Sequence, residues 1–220
     1  MRVLTPLEAR VLGVLVEKQT TVPDTYPLSL NALVAGCNQK TAREPVIQAT
    51  DAEVLTAVDG LKSLSLVFEG SGSRVTRYEH NAGRMLGVPS QSVALLAVLI
   101  LRGPQTAAEL RANCERLHRF ADVSSVEAFL DELATKATPR VVKLARAPGE
   151  REARWAQLLT GEPPMMAAHE DAPEWASLAQ SVTAGEVAAL KAEQTRLSAE
   201  VVRLRTQLER MAGELGITLD

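Results

Sequence analysis

The sequence predicts a mainly α-helical chain with small β-hairpins, built from one small module used twice and closed by a heptad-patterned helix. Three observations carry that prediction. Residues 71–78 read S-G-S-R-V-T-R-Y and residues 148–155, seventy-seven positions later, read P-G-E-R-E-A-R-W. Both contain a glycine, two arginines three apart and an aromatic. The same offset carries Ser29 onto Thr106, Leu33 onto Leu110 and Cys37 onto Cys114, so the duplication covers a helix as well as a hairpin. Each copy reads as three helices and then two strands, which is the plan of a winged helix-turn-helix. The third observation is an a/d repeat near the C-terminus. The expected division is 1–88 and 89–160 for two tandem winged-helix modules, 161–185 for a linker and 186–216 for a coiled-coil helix.

In the first module, Thr5-Pro6-Leu7-Glu8 is a capping box with proline at the first helical position. Leu7, Val11, Val14 and Leu15 follow at helical spacing, predicting a helix that ends near Glu17 or Lys18. Val22 to Pro27 is a proline-punctuated loop whose last residues could be extended. Ser29 caps a second helix with Leu30, Leu33, Val34 and Cys37 inward. Asn38 to Gln48 is polar, contains Pro45, and is a long loop. Thr50 and Glu53 form another capping box ahead of a third helix, with Val54, Ala57, Val58, Leu61 and Leu64 on its buried side. Strands from Leu66 to Glu69 and from Arg74 to His80 then flank the glycine-rich tip Gly70-Ser71-Gly72-Ser73.

The second module repeats this order with shorter loops. Ser90 precedes a helix through Leu101. Thr106 and Glu109 box the next helix, which carries Leu110 and Cys114. Val126, Phe129, Leu130 and Leu133 line a third. The hairpin runs from Arg140 to Leu144 and from Arg151 to Leu158, turning at Ala147-Pro148-Gly149-Glu150.

Gly161-Glu162-Pro163-Pro164 and Pro173 mark the linker, in which Trp175 and Leu178 could form a short helix. Beyond it Val187, Leu190, Gln194, Leu197, Val201, Leu204, Leu208, Met211 and Leu215 occupy the a/d positions, eight of the nine apolar. Gln194 at an interior a position can set register, and Glu200 at g can meet Arg205 at e of a parallel partner. The alternative is one amphipathic helix on its own domain. The strict 3.5-residue period and narrow seam favour a helical partner, hence a homodimer.

At 220 residues and 46% apolar, the chain has room for about two domains. Its longest apolar run, Val93 to Leu101, is far short of the roughly 20 residues that cross a bilayer. No signal peptide is visible and the two cysteines fall at equivalent core positions, so a cytoplasmic protein without disulfides is expected. The formal charge is 0 over residues 1–88, +2 over 89–160 and −5 over 161–220, which sum to −3. Neither module carries the strong positive balance of a domain held to DNA mainly by phosphate neutralisation.

Four motifs resemble the YceH family of uncharacterised bacterial proteins: Y-P-L-S-L-N at Tyr26–Asn31, C-N-Q-K-T-A-R-E-P at Cys37–Pro45, R-V-T-R-Y-E at Arg74–Glu79 and L-R-G-P-Q-T-A-A-E-L-R at Leu101–Arg111. The resemblance runs from about residue 4 to 162. It implies a tandem winged-helix fold in bacteria and brings no activity, catalytic residue or cofactor with it.

A DNA-reading winged helix offers Arg, Lys, Asn or Gln from its third helix to base edges. Here the third helices offer Asp51, Glu53, Asp59 and Lys62, and Glu127, Asp131, Glu132 and Lys136. The basic residues lie instead in the preceding loops, at Lys40 and Arg43 and at Arg116, His118 and Arg119, and in the wings, at Arg74 and Arg151. That pattern favours backbone contact over base reading. Residues three apart on a strand face opposite sides, so Arg77 and Arg154 are assigned to holding the wings through a carboxylate or loop carbonyl, and Tyr78 and Trp155 to packing. The Cys37–Arg43 loop is the leading candidate for a functional surface, its alternative being a brace between the modules.

No catalytic site is expected. His80, His118 and His169 lack metal-ligand spacing, the cysteines have no adjacent base, and Gly70-Ser71-Gly72 lacks the lysine and helix of a phosphate loop. Two readings stay open, a dimeric DNA-associated regulator and a protein-interaction scaffold with no DNA. Fold analogy supports the first and the acidic third helices the second.

Overall fold

The computed structural model describes residues 1–70, 75–146, 149–163, 196 and 203. Residues 1–167 make one compact unit and 168–220 another. The heptad positions from Val187 to Leu215, together with Arg74, Trp175 and Leu178, lie outside the described residues. All elements below belong to the first unit.

Helix α1, Pro6–Thr21, begins on its capping box: Glu8 N donates to Thr5 Oγ1 at 3.2 Å and Thr5 N to the Glu8 carboxylate at 2.7 Å. It continues past Lys18 because the Thr21 hydroxyl bonds Glu17 O at 2.9 Å and Val22 N bonds Lys18 O at 3.1 Å, and Pro23 then ends it. A 3-10 turn at Pro23–Thr25 leads into strand β1, Leu28–Ser29, and Ser29 caps α2, Leu30–Cys37. After a long loop the Thr50–Glu53 box opens α3, Asp51–Ser63. Strands β2, Val67–Gly70, and β3, Arg77–His80, complete an antiparallel sheet of order β1-β3-β2, with Leu28 opposite Tyr78.

The short helix α4, Ala82–Leu86, has no counterpart in the sequence reading, since five residues are too few to show a helical period. It stops at Gly87, whose φ of 63° suits a glycine C-cap. Helix α5, Ser90–Arg102, takes its N-cap from extended Pro89 rather than from Ser90, without a side-chain cap bond. Helix α6, Ala107–Cys114, opens on the Thr106–Glu109 box, and α7, Val123–Thr135, on a box between Asp122 and Ser125. Strands β4, Val141–Lys143, and β5, Trp155–Gln157, pair antiparallel and are shorter than the predicted segments.

The seventy-seven-residue offset holds in three dimensions. Leu28 opposite Tyr78 recurs as the isolated bridge between Gln105 and Trp155, since 28 + 77 = 105 and 78 + 77 = 155. Leu33 and Leu110, and Cys37 and Cys114, are all completely buried. One aliphatic core runs through both copies. Its spine is the packing of α1 on α5, where a Cβ on Gly13 would stand 3.1 Å from Ile100 Cγ2 and Leu101 Cδ2. Each large aliphatic side chain buried there contributes about 1.5–3 kcal/mol.

At the end of β3, burial pushes the His80 imidazole down to about 4. The neutral ring is held by Ala82 N donating to Nδ1 at 3.3 Å and by Nε2 facing Gln19 Oε1 at 2.9 Å, an arrangement that places the proton on Nε2. An unfolded histidine near 6.5 binds the proton that the folded ring refuses. The contribution of His80 is therefore complete above pH 6.5 and lost as pH falls through about 4. Urea unfolding followed from pH 7 to 4 is expected to show a stability decline that His80→Gln reduces. An unchanged slope in that variant would rule this linkage out.

Candidate functional site

The loop between α2 and α3 is built around two buried arginines. Arg43 has a side chain with 0% exposure, reaching Glu17 on α1 through two bonds of 3.1 and 2.6 Å. Its Nε donates to Gly36 O at 3.1 Å and Nη1 to Ala42 O at 2.9 Å. From the opposite direction Arg10 of α1 donates to Cys37 O at 3.2 Å and to Pro45 O at 2.7 Å. Asn38 closes the loop on itself by bonding Ala49 O at 2.8 Å and Ala49 N at 2.7 Å. Glu44 N then bonds Leu101 O at 2.7 Å, fastening the loop of the first copy to α5 of the second.

Arg43 is thus a correction to the sequence reading, which placed it on a contact surface: its charge is spent on Glu17, inside the fold. Burial raises the Glu17 carboxyl, yet the bonds and charge of Arg43 and Lys18 outweigh it and hold the group below its ordinary value. Ala42, next to Arg43, has a left-handed φ of 57°, which costs roughly 1–2 kcal/mol in an L-residue. The ion pair helps to offset it.

Beside this loop lies a polar cleft of about 250 Å³ where the two copies meet. Its polar lining is Glu17, Lys18 and Thr21 of α1, Gln39 and Thr41 of the loop, Arg102 at the end of α5, Asn113 of α6 and Arg116 just after it, with Glu17 already bound to Arg43. Lys18 Nζ is held by Gln39 Oε1 at 3.3 Å and Glu17 Oε2 at 3.2 Å. Arg102 and Arg116 are exposed and make no hydrogen bond or ion pair among the described residues. Lys40 is likewise exposed and unpaired, between two wall residues but outside the wall. Such a cleft offers undischarged cationic charge, with amide and hydroxyl groups around it, to an anion.

The other candidates fall elsewhere. Arg119 is exposed and pairs with Glu115 at 3.4 Å, a bond worth little in solvent. Arg151 is exposed and unpaired among the described residues. Arg77 Nη1 donates to Pro27 O at 2.7 Å and to Thr25 O at 3.2 Å. Arg154 Nη1 donates to Pro104 O at 3.3 Å and to Glu109 at 3.0 Å, with Glu150 at 3.3 Å from Nε. Since 27 + 77 = 104, both arginines bond the carbonyl at the same repeat position. Tyr78 and Trp155 are buried beside them.

Lys18, Arg102, Gln39 and Asn113 were missed as site residues. Lys18 and Arg102 sit in the last turns of α1 and α5, where a cation needs no function to explain it. Exposed positions of α3 and α7 are acidic at Asp51, Glu53, Asp59, Glu127, Asp131 and Glu132, while Lys62 is bound to Glu69 and lies 3.6 Å from Asp59. Burial pushes the Cys37 and Cys114 thiols up to about 12, far from the thiolate that nucleophilic chemistry requires. Among the described residues no group of three or more His, Cys, Asp or Glu could hold a metal, and no helix is long and apolar enough to cross a membrane.

The family model "Protein of unknown function, DUF480" matches residues 4–150. A UPF0502 protein of Leptothrix cholodnii is 66% identical over 219 residues, covering 100% of this chain and 98% of the relative. UPF0502 proteins of Burkholderia multivorans and Burkholderia thailandensis are 66% and 64% identical over 220 residues, covering 100% of this chain and 92% of each relative.

Removing one member of a buried ion pair strands the other, so Arg43→Met is expected to cost about 3 kcal/mol in urea unfolding. Lys40→Ala is expected to change stability by less than about 0.5 kcal/mol. Equal effects from the two substitutions would contradict the buried placement of Arg43.

Proposed function

The chain belongs to the DUF480 family, the uncharacterised bacterial family whose YceH-like motifs its sequence carries, and we propose that it is a non-enzymatic tandem winged-helix protein that lies along the phosphate backbone of duplex DNA as a homodimer. The observation that supports this reading is the junction cleft, with Arg102 and Arg116 in its wall and Lys40 beside it, none of them paired among the described residues. Cations without protein partners are the groups that gain most from neutralising phosphate and releasing counterions. The hairpins are the wings, and Arg151 adds a further unpaired charge near the tip of the second. Charge on α3 and α7 opposes their insertion into the major groove, so contact is assigned to backbone and not to base edges.

The acidic α3 and α7 favour a second reading, an adaptor that presents them to a basic protein and leaves DNA alone. Titration of duplex DNA across a salt series separates the two. Affinity is expected to fall steeply with salt, and the triple change Lys40→Ala, Arg102→Ala, Arg116→Ala to make the slope shallower by ~2–3, at about 0.9 per phosphate contact. Absence of binding near 50 mM salt, about the low end of such a series, sinks the DNA reading.

Dimerisation is assigned to the heptads from Val187 to Leu215, which would set two pairs of winged helices side by side. Sedimentation equilibrium is expected to return a dimer for the full chain and a monomer for the double change Leu197→Glu, Leu204→Glu. A dimer that survives both charges would place the interface elsewhere.

A further inference from the structure

We infer that a second cavity between the copies, also lined by the α2–α3 loop, is a binding site for a small organic carboxylate with an apolar body. The cavity holds about 430 Å³, within the roughly 300–1,000 Å³ of small-molecule sites. Its walls come from α1, the loop before α3 and the first turn of α3, the end of α5, and the end of β5 with the segment after it. Leu7, Ile47, Ala49, Leu99 and Ile100 are among its apolar lining.

Arg10 identifies the ligand class. It is 4% exposed and lines the cavity, yet no carboxylate lies within ion-pair distance of it among the described residues. The guanidinium has five N–H donors, and only two bonds, to the carbonyls of Cys37 and Pro45, are made. The adjacent buried cation, Arg43, takes Glu17 for itself and acts against the charge of Arg10, and the exposed Glu44 favours that charge only from beyond ion-pair distance. A buried charge in this condition is stabilised by an anion that brings its own. A planar carboxylate can take two parallel N–H bonds from an arginine, which a neutral amide cannot.

Glu44 and Glu53 also line the cavity, and both are exposed. They would favour an ammonium group next to the carboxylate, as in an apolar α-amino acid, over a simple fatty acid. Carboxylate on Arg10 and hydrocarbon on the aliphatic wall are common to both sources. The inference does not depend on nucleic-acid binding, and its test contains no DNA.

Isothermal titration of the full chain with octanoate, 2-aminooctanoate and octanamide decides the matter. At least one of the two acids is expected to saturate a single site with a dissociation constant on the order of 1 mM or tighter, a modest efficiency for a ligand of this size. Octanamide is expected to bind at least tenfold more weakly. Tighter binding of 2-aminooctanoate assigns the amino acid, and tighter binding of octanoate the fatty acid. Arg10→Gln is expected to weaken the acid at least about tenfold, the scale of a charge-assisted bond. Ala49→Phe keeps Arg10 and fills the cavity, and is expected to abolish binding while the protein remains folded by circular dichroism. Should Arg10→Gln fail to fold, the Ala49→Phe result and the acid-to-amide ratio decide. Binding of neither acid, equal binding of acid and amide, or undiminished binding in folded Ala49→Phe overturns the inference.

Discussion

The approach of α1 to α5 is the constraint on which the rest of the molecule depends. Gly13 removes the side chain that would otherwise separate the helices, and Ile100 and Leu101 occupy the space beside it, 3.1 Å from where a Cβ would stand. One core then serves two copies that are each small for independent burial. The basic cleft and the apolar cavity flank this contact, and both draw walls from α1 and α5. Neither hollow could exist in a single copy.

Arginine is the residue that turns this packing into specific geometry. Arg43 and Arg10 hold the α2–α3 loop from two sides, and Arg77 and Arg154 tie each hairpin to the segment before its second helix. Five donors on a planar head allow one side chain to satisfy several backbone carbonyls in a fixed geometry, where lysine offers three donors on a compact, freely rotating ammonium. What distinguishes Arg102 and Arg116 is that they make none of these bonds among the described residues. Charge counting alone treats all six arginines alike; their partners separate structure from availability.

Local chemistry was legible in the sequence, and long-range chemistry was not. The Thr5–Glu8, Thr50–Glu53 and Thr106–Glu109 boxes could be read because donor and acceptor lie three residues apart. The Asp122–Ser125 box escaped because serine, not glutamate or glutamine, occupies the third position. Arg77 and Arg154 both bond loop carbonyls, but the strand alternation from which their role was argued is present only at Arg77, since Arg154 precedes β5. The fate of Arg43 could not be read, since Glu17 is twenty-six residues away and nothing in the intervening chain announces their meeting. Lys18 and Arg102 escaped for a related reason. Their value lies in lining one cleft from two copies, a relation that appears only once Gly13 has brought the helices together.

The bond from Glu44 to Leu101 makes the α2–α3 loop common property of both copies, whereas the equivalent connection in the second copy, between Cys114 and Val123, is shorter. Duplicated modules ordinarily drift apart wherever the chain is unconstrained. Here the first loop has anchors at Cys37, Pro45, Ala49 and Leu101, so an inserted or deleted residue would have to be absorbed by all of them together. Its length is therefore held by the junction it spans.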